Sequence, residues 1–159
     1  MTAKTHETEI IIDPDVPLVR LIREFDAPVE KVFRAHTDPD LFARWNGPRG
    51  METHYDHFDC RTGGSYRYVM TRDGDEFGFR GCFHEVRPSE LIVQTFTYEG
   101  FPDGVSLERL VLEDLGDGRT RLTATSLVDS FEARDAFVAS GMETGIREGY
   151  EKLDELLAG

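Results

Sequence analysis

Apolar positions along this chain change period three times. They alternate with polar ones from Leu18 to Phe25, recur at steps of three and four from Val29 to Trp45, and alternate again from residue 51 to 127. From Ser130 to Leu157 they return to steps of three and four. Period two places every second side chain on one face of a strand, and period 3.6 draws a stripe along a helix, so the order reads strand, two helical pieces, a run of strands, long helix. The final stretch reads as one amphipathic helix, with Phe137, Val138, Met142, Ile146, Tyr150, Leu153, Leu156 and Leu157 on its stripe. Ser130 is its N-cap, and Glu132 and Asp135 lie near the positive end of its dipole. Its other face carries Arg147, Glu148, Glu151, Lys152 and Glu155, with Glu148 four residues before Lys152, a favourable spacing for an ion pair.

Ahead of these elements, residues 1–17 form an arm or edge strand built on the run Glu9-Ile-Ile-Ile12 and closed by Asp13-Pro-Asp-Val-Pro17, and residues 18–159 form the domain. On the first confident strand, Phe25, Arg23, Leu21 and Val19 share a face. Arg23 is expected at a frayed rim, the other reading being a guanidinium turned into a cavity. Asp26-Ala27-Pro28 stops that strand and opens a helix whose inner stripe is Val29, Val32, Phe33 and His36. Thr37-Asp38-Pro39 ends it and opens a second, carrying Leu41, Phe42 and Trp45.

The later strands fall near 52–60, 65–72, 76–86, 91–99, 105–115 and 119–127. Turn signals such as Thr62-Gly-Gly64, Asp73-Gly-Asp75 and Gly116-Asp-Gly118 separate them, which predicts an antiparallel meander. A long twisted sheet with one apolar face and a single long helix to cover it curls around that helix and leaves a hollow. Tyr66, Tyr68 and Met70 on one strand, and Phe77, Phe79 and Phe83 on the next, supply aromatic walls. Gly141, Gly145 and Gly149 recur every four residues in the predicted helix and together cost about 3 kcal/mol of helix propensity. Tight packing against that line is expected, the other reading being room for a ligand beside Met142, Ile146 and Tyr150.

The formal charge of −13 argues against a nucleic-acid partner and against anionic membranes, because the overall field repels both. No stretch approaches a membrane span and the N-terminus has no apolar signal core, so a cytoplasmic location without membrane insertion is expected. Cys60 and Cys82 are too few for a disulfide framework and read as reduced thiols.

Several stretches together resemble a known family: Phe25-Asp-Ala-Pro28, Thr37-Asp38-Pro39, Trp45, Gly47-Pro48, Gly63-Gly64-Ser-Tyr66, Gly81-x-Phe83-x-Glu85-Val86, and Gly141-Met142-x-x-Gly145 followed by Leu153 and Leu156-Leu157. They look like the bacterial branch of the activator of heat-shock-protein ATPase homologues, in the START-like (SRPBCC) superfamily that includes the birch-pollen allergen and polyketide cyclases. The resemblance runs from about residue 18 to 157 and departs at Asn46, where the family usually has a second tryptophan. It implies an α+β helix-grip fold: a curved antiparallel sheet of six or seven strands wrapped around the C-terminal helix, with two short helices after the first strand. By matching positions, the pocket would be lined by Trp45, Tyr66, Tyr68, Phe79, Phe83, Phe96, Met142, Ile146 and Tyr150. At one strand, Thr95 and Thr97 could face inward in place of Phe96 after a bulge.

His54-x-x-His57-x-x-Cys60 has the residue types of a zinc site. On a strand, a spacing of three sends the two histidines to opposite faces and leaves Cys60 about 20 Å from His54, so no metal is expected. Nucleophile elbow, Walker loop and dinucleotide fingerprint are missing from the sequence, and no cofactor is expected. Any reaction would draw on polar groups such as Tyr66, Tyr68, Arg23, His84, Arg80 or Tyr150. The leading expectation is a binding domain for a small hydrophobic, aromatic or lipid-like molecule, acting as monomer or homodimer. An enzyme of the cyclase or hydrolase type and a module that stimulates a chaperone ATPase are the alternatives.

Overall fold

The structure, a computed structural model, describes residues 6–159, so the first five residues of the expected arm lie outside it. Eight strands form one antiparallel sheet: β1 (Glu9–Ile12), β2 (Leu18–Phe25), β3 (Glu52–Phe58), β4 (Ser65–Arg72), β5 (Asp75–Arg87), β6 (Leu91–Tyr98), β7 (Ser106–Gly116) and β8 (Arg119–Leu127). Their spatial order is β1-β2-β8-β7-β6-β5-β4-β3. The Glu9–Ile12 run supplies the eighth strand, paired with β2 at the sheet edge. The link from β2 to β3 must cross from one side of the sheet to the far edge. It carries α1 (Val29–Thr37) and α2 (Pro39–Trp45) over the concave face. Pro39 starts α2, at the Thr37-Asp38-Pro39 boundary the sequence predicts, and the Asp38 carboxylate caps it by accepting from the Asp40 and Leu41 amides.

The single C-terminal helix is corrected to two, α3 (Phe131–Ala139) and α4 (Met142–Ala158). Ser130 caps α3 by accepting from the Ala133 amide. Gly141 then adopts φ +86°, a left-handed conformation that stops a helix and is open chiefly to glycine. Apolar spacing continues through the break, which is why periodicity alone joins the two pieces. The predicted Glu148–Lys152 pair is also replaced. Glu148 accepts from the Arg49 amide, Lys152 donates to the Pro48 carbonyl, and the spacing-of-four pair in this helix is Glu143–Arg147. The 46–50 loop has drawn the first two away from each other.

Bulges at three places bend the sheet: between Tyr55 and His57, between Phe83 and Glu85, and between Asp114 and Gly116. The first corrects the reading of the histidines. With Asp56 as the extra residue, His54 pairs with Val69 and His57 with Arg67, so both lie on the outer, exposed face.

Two apolar clusters fill the concave side. One packs α1 and α4 on β2, β7 and β8 around Val19, Phe25, Val32, Leu122 and Leu153. The other is Tyr66, Tyr68, Met70, Phe83 and Ile92 on β4 to β6. The expectation that Arg23 lies at a frayed rim fails, because the residue is 2% exposed beneath α4. Its Nη1 donates to Asp154 Oδ1 at 3.1 Å and to the Glu24 carbonyl at 2.7 Å, its Nη2 donates to Asp154 Oδ2, and its guanidinium lies 4.8 Å from the Phe25 ring centre. A partner on the last helix makes burial of this strand arginine possible.

Candidate functional site

Between the two clusters lies a cavity of about 350 Å³. Trp45, Tyr66, Tyr68, Phe79, Phe83, Phe96, Met142, Ile146 and Tyr150 all line it. Phe96 faces inward and Thr95 does not: the Thr95 hydroxyl accepts from the Cys82 amide instead. The rings brace one another. Trp45 stacks on Tyr150 with centres 6.1 Å apart, Tyr66 on Tyr68 at 5.9 Å, and Phe79 on Phe96 at 5.4 Å.

Hydrogen bonds fix the ring orientations. The Trp45 indole donates to the Ala35 carbonyl at 2.8 Å, tying α2 to α1. Tyr66 donates to the Thr95 carbonyl at 2.6 Å, a reach that depends on Gly81, since a Cβ there would lie 2.0 Å from that oxygen. Asn46, where the family usually has tryptophan, donates to the Tyr68 hydroxyl at 3.3 Å. The departure thus puts a polar anchor on the cavity wall.

Three residues that the sequence reading passed over as candidates for chemistry form a polar row across the cavity floor. Gln94 on β6 pairs in register with Glu108 on β7, which pairs with Ser126 on β8. All three line the cavity. Gln94 donates to the Tyr66 hydroxyl at 3.2 Å. The neighbouring row of the floor, Ile92, Leu110 and Ala124, is apolar. Burial pushes the Glu108 carboxyl up to about 7, a hydrogen bond from Ser126 only partly offsetting it. Counting by twos back from Leu112 and Leu110 would have turned Glu108 inward. Its adjacency to Arg109, in the pattern of a solvated pair, hides this in the sequence. His36 lines the same cavity against the Trp45 ring, and burial lowers its imidazole to about 4, so it is neutral at physiological pH.

The other candidates lie elsewhere. Arg80 and His84 are exposed on the outer face, and Arg23 is held by Asp154 outside the cavity lining. Burial raises the Cys60 thiol to about 12, which makes it a poor nucleophile. Among the described residues no three His, Cys, Asp or Glu side chains group as metal ligands; His54 meets Thr71 and His57 meets Ser65. No described helix is long and apolar enough to cross a membrane.

Comparison with known proteins places this architecture. No curated protein matches the chain. Among solved structures it is similar to a protein from Rhodobacter sphaeroides at 31% identity and TM-score 0.84, covering 94% of this chain and 97% of that one. It is similar to a protein from Arthrobacter aurescens at 28% identity and TM-score 0.86, covering 94% and 91%. The protein Ms6760 from Mycobacterium smegmatis aligns at 25% identity and TM-score 0.85, covering 94% and 96%. The family described as Activator of Hsp90 ATPase homolog 1-like protein matches residues 26–158. With that match over most of its length and a curved sheet gripping its C-terminal helix, the chain belongs to this family and has the START-like helix-grip fold.

Proposed function

We propose that the protein binds a small hydrophobic molecule, aromatic or lipid-like, in the cavity between the sheet and α4. The observation that carries this reading is a hollow of about 350 Å³ walled by rings that brace one another and are hydrogen-bonded from behind. Pockets of this size and apolar lining suit small ligands, and the prepaid ordering of the rings lowers the entropic cost of binding. The net charge of −13 disfavours nucleic acid as the partner, and we expect the protein to act in the cytoplasm as a monomer or homodimer.

Native mass spectrometry of protein purified gently from its own host tests the reading directly. A bound molecule of a few hundred daltons, released on denaturation, is the expected result. Apolar ligands should also change the fluorescence of Trp45, which lines the cavity and is the one tryptophan of the chain. Saturable binding that leaves both the Trp45 signal and its quenching unchanged would put the ligand elsewhere.

One observation favours a second reading, a cavity enzyme that moves a proton. Glu108 is held near 7 among three tyrosines whose own ionisation its charge opposes. A carboxyl poised there suits general acid–base work.

A further inference from the structure

We propose that Glu108 is the recognition group of the cavity, a hydrogen-bond donor to a carbonyl-type oxygen on an otherwise hydrophobic aromatic ligand. This deepens the cavity-binding reading above and rests on it. Several polar atoms on the wall are already engaged. The Tyr66 hydroxyl donates to the Thr95 carbonyl and accepts from Gln94, the Trp45 indole donates to Ala35, His36 Nδ1 meets the Val32 carbonyl, and Tyr68 accepts from Asn46. These groups hold the walls. Glu108 is differently placed: it stands in the middle of the Gln94–Glu108–Ser126 row, on the floor of the cavity that the rings line.

A carboxyl in that position costs free energy unless something satisfies it, and the only compensation in its own surroundings is the Ser126 hydroxyl. Arg23, a buried cation on β2, is committed to Asp154. The titratable and charged groups that share the cavity lining with Glu108 are His36 from α1, Tyr66 and Tyr68 from β4, Tyr150 from α4, and its neighbour Arg109 on β7. The tyrosines stay neutral because burial raises them, and His36 stays neutral because burial lowers it. Glu108 is therefore protonated through much of the range up to about 7 and presents an O–H to the hollow. An O–H among rings selects an acceptor such as a ketone, quinone or lactone oxygen. It discriminates against a carboxylate, which would bring a second acid to the same spot, and a fatty-acid head group is excluded for that reason.

Four naphthalenes of nearly equal size separate the possibilities: 1-ethylnaphthalene, 1-acetonaphthone, 1-naphthoate and 1-naphthylmethylammonium, titrated by calorimetry at pH 6 and pH 8.5 into the wild type, E108Q and E108L. One added hydrogen bond in a desolvated site predicts the ketone to bind about tenfold tighter than the hydrocarbon at pH 6. That ratio should shrink at pH 8.5 as Glu108 ionises, and naphthoate should be the weakest of the set. E108Q, whose amide N–H still donates, keeps the ratio at both pH values. E108L, which removes the Glu108 donor, brings it to about one. A ketone-to-hydrocarbon ratio unaltered in E108L overturns the proposal, and so does an ammonium probe that binds tightest at pH 8.5 and loses that lead in E108Q. Should ethylnaphthalene bind without any ketone preference, the proposal alone fails. Should no naphthalene bind at all, the cavity-binding reading fails and the proposal with it.

Discussion

The two ends of the concave face bury ionisable groups in opposite ways. At the closed end, where α4 lies on β2, Arg23 is encased but grips Asp154 with both terminal nitrogens. At the cavity end Glu108 is desolvated, and among the described residues no cation forms an ion pair with it. The first arrangement clamps the last helix to the sheet. The second leaves a carboxyl, met by the Ser126 hydroxyl, facing a hollow where a small molecule could reach it. A buried charge with a partner serves the fold, and a buried carboxyl without an ion-pair partner points to function.

Breaking the closed end should have the largest effect. Asp154→Ala strands the Arg23 guanidinium under α4, and orphaning one partner of a buried pair costs about 3–5 kcal/mol. Because Asp154 keeps 33% of its side chain exposed, water relieves part of this, and a loss of about 3 kcal/mol is expected in denaturant melts. Arg23→Met, which removes the charge and fills the same space, should cost clearly less. Equal losses for the two variants would mean that packing, and not the stranded charge, dominates there.

The cavity end carries a different signature, in pH. Glu108 has its ordinary value near 4.5 in the unfolded chain and about 7 in the fold, so the folded state holds a proton that the unfolded state has lost between those values. Its contribution is full below pH 4.5 and disappears as pH rises through 7. His36 runs the other way, from 6.5 unfolded to about 4 folded: its contribution is full above pH 6.5 and disappears as pH falls through 4. Each swing is on the order of 2–3 kcal/mol, since both side chains keep some exposure. In the wild type the two slopes oppose each other between pH 4.5 and 6.5, and stability should be nearly flat there. Glu108→Gln unmasks the histidine, so stability climbs with pH across that window. His36→Leu unmasks the carboxyl, so stability declines across it. Parallel pH profiles for both variants would show that neither group is as desolvated as its position implies.

Much of this contrast can be read from residues alone, and the rest depends on distance. The alternation on β4 and β5 is enough to line up Tyr66, Tyr68, Phe79 and Phe83, because strand period is a local property. The caps at Asp38 and Ser130 are local too. Arg23 escapes such reasoning because the partner that permits its burial is Asp154, 131 residues away. The histidine faces escape it because one extra residue at Asp56 inverts the count. The join between α3 and α4 escapes it because the apolar steps run on across Gly141, and only the backbone conformation there reveals the stop. Glu108 was legible in principle, but a charged Glu-Arg pair in a strand looks like surface until Leu110 and Leu112 are used to set the phase.

The two inward glycines of α4 carry the same comparison to smaller energies. A Cβ on Gly149 would lie 3.3 Å from the Trp45 carbonyl oxygen and 3.5 Å from both the nitrogen and the oxygen of Gly47, so here helix and loop are in close contact. Overpacking of about 1–3 kcal/mol outweighs the roughly 1 kcal/mol gained in helix propensity, and Gly149→Ala should be net destabilising by about 1 kcal/mol.

Gly145 behaves in the opposite sense, against the expectation of tight packing along the whole glycine line. A Cβ there would meet only Pro48 Cδ at 3.6 Å, an ordinary contact, and the position lines the cavity. Gly145→Ala should therefore stabilise the protein by about 0.5–1 kcal/mol through propensity alone. The added methyl takes its room from the hollow between α4 and the 46–50 loop, so an apolar probe such as 1-ethylnaphthalene should bind more weakly to this variant even as its denaturation midpoint rises. Two readouts moving in opposite directions are what an open cavity wall requires. A variant that loses stability would mean that the loop has closed on Gly145 as it has on Gly149, and one that gains stability with unchanged probe affinity would place the ligand away from this side of the helix.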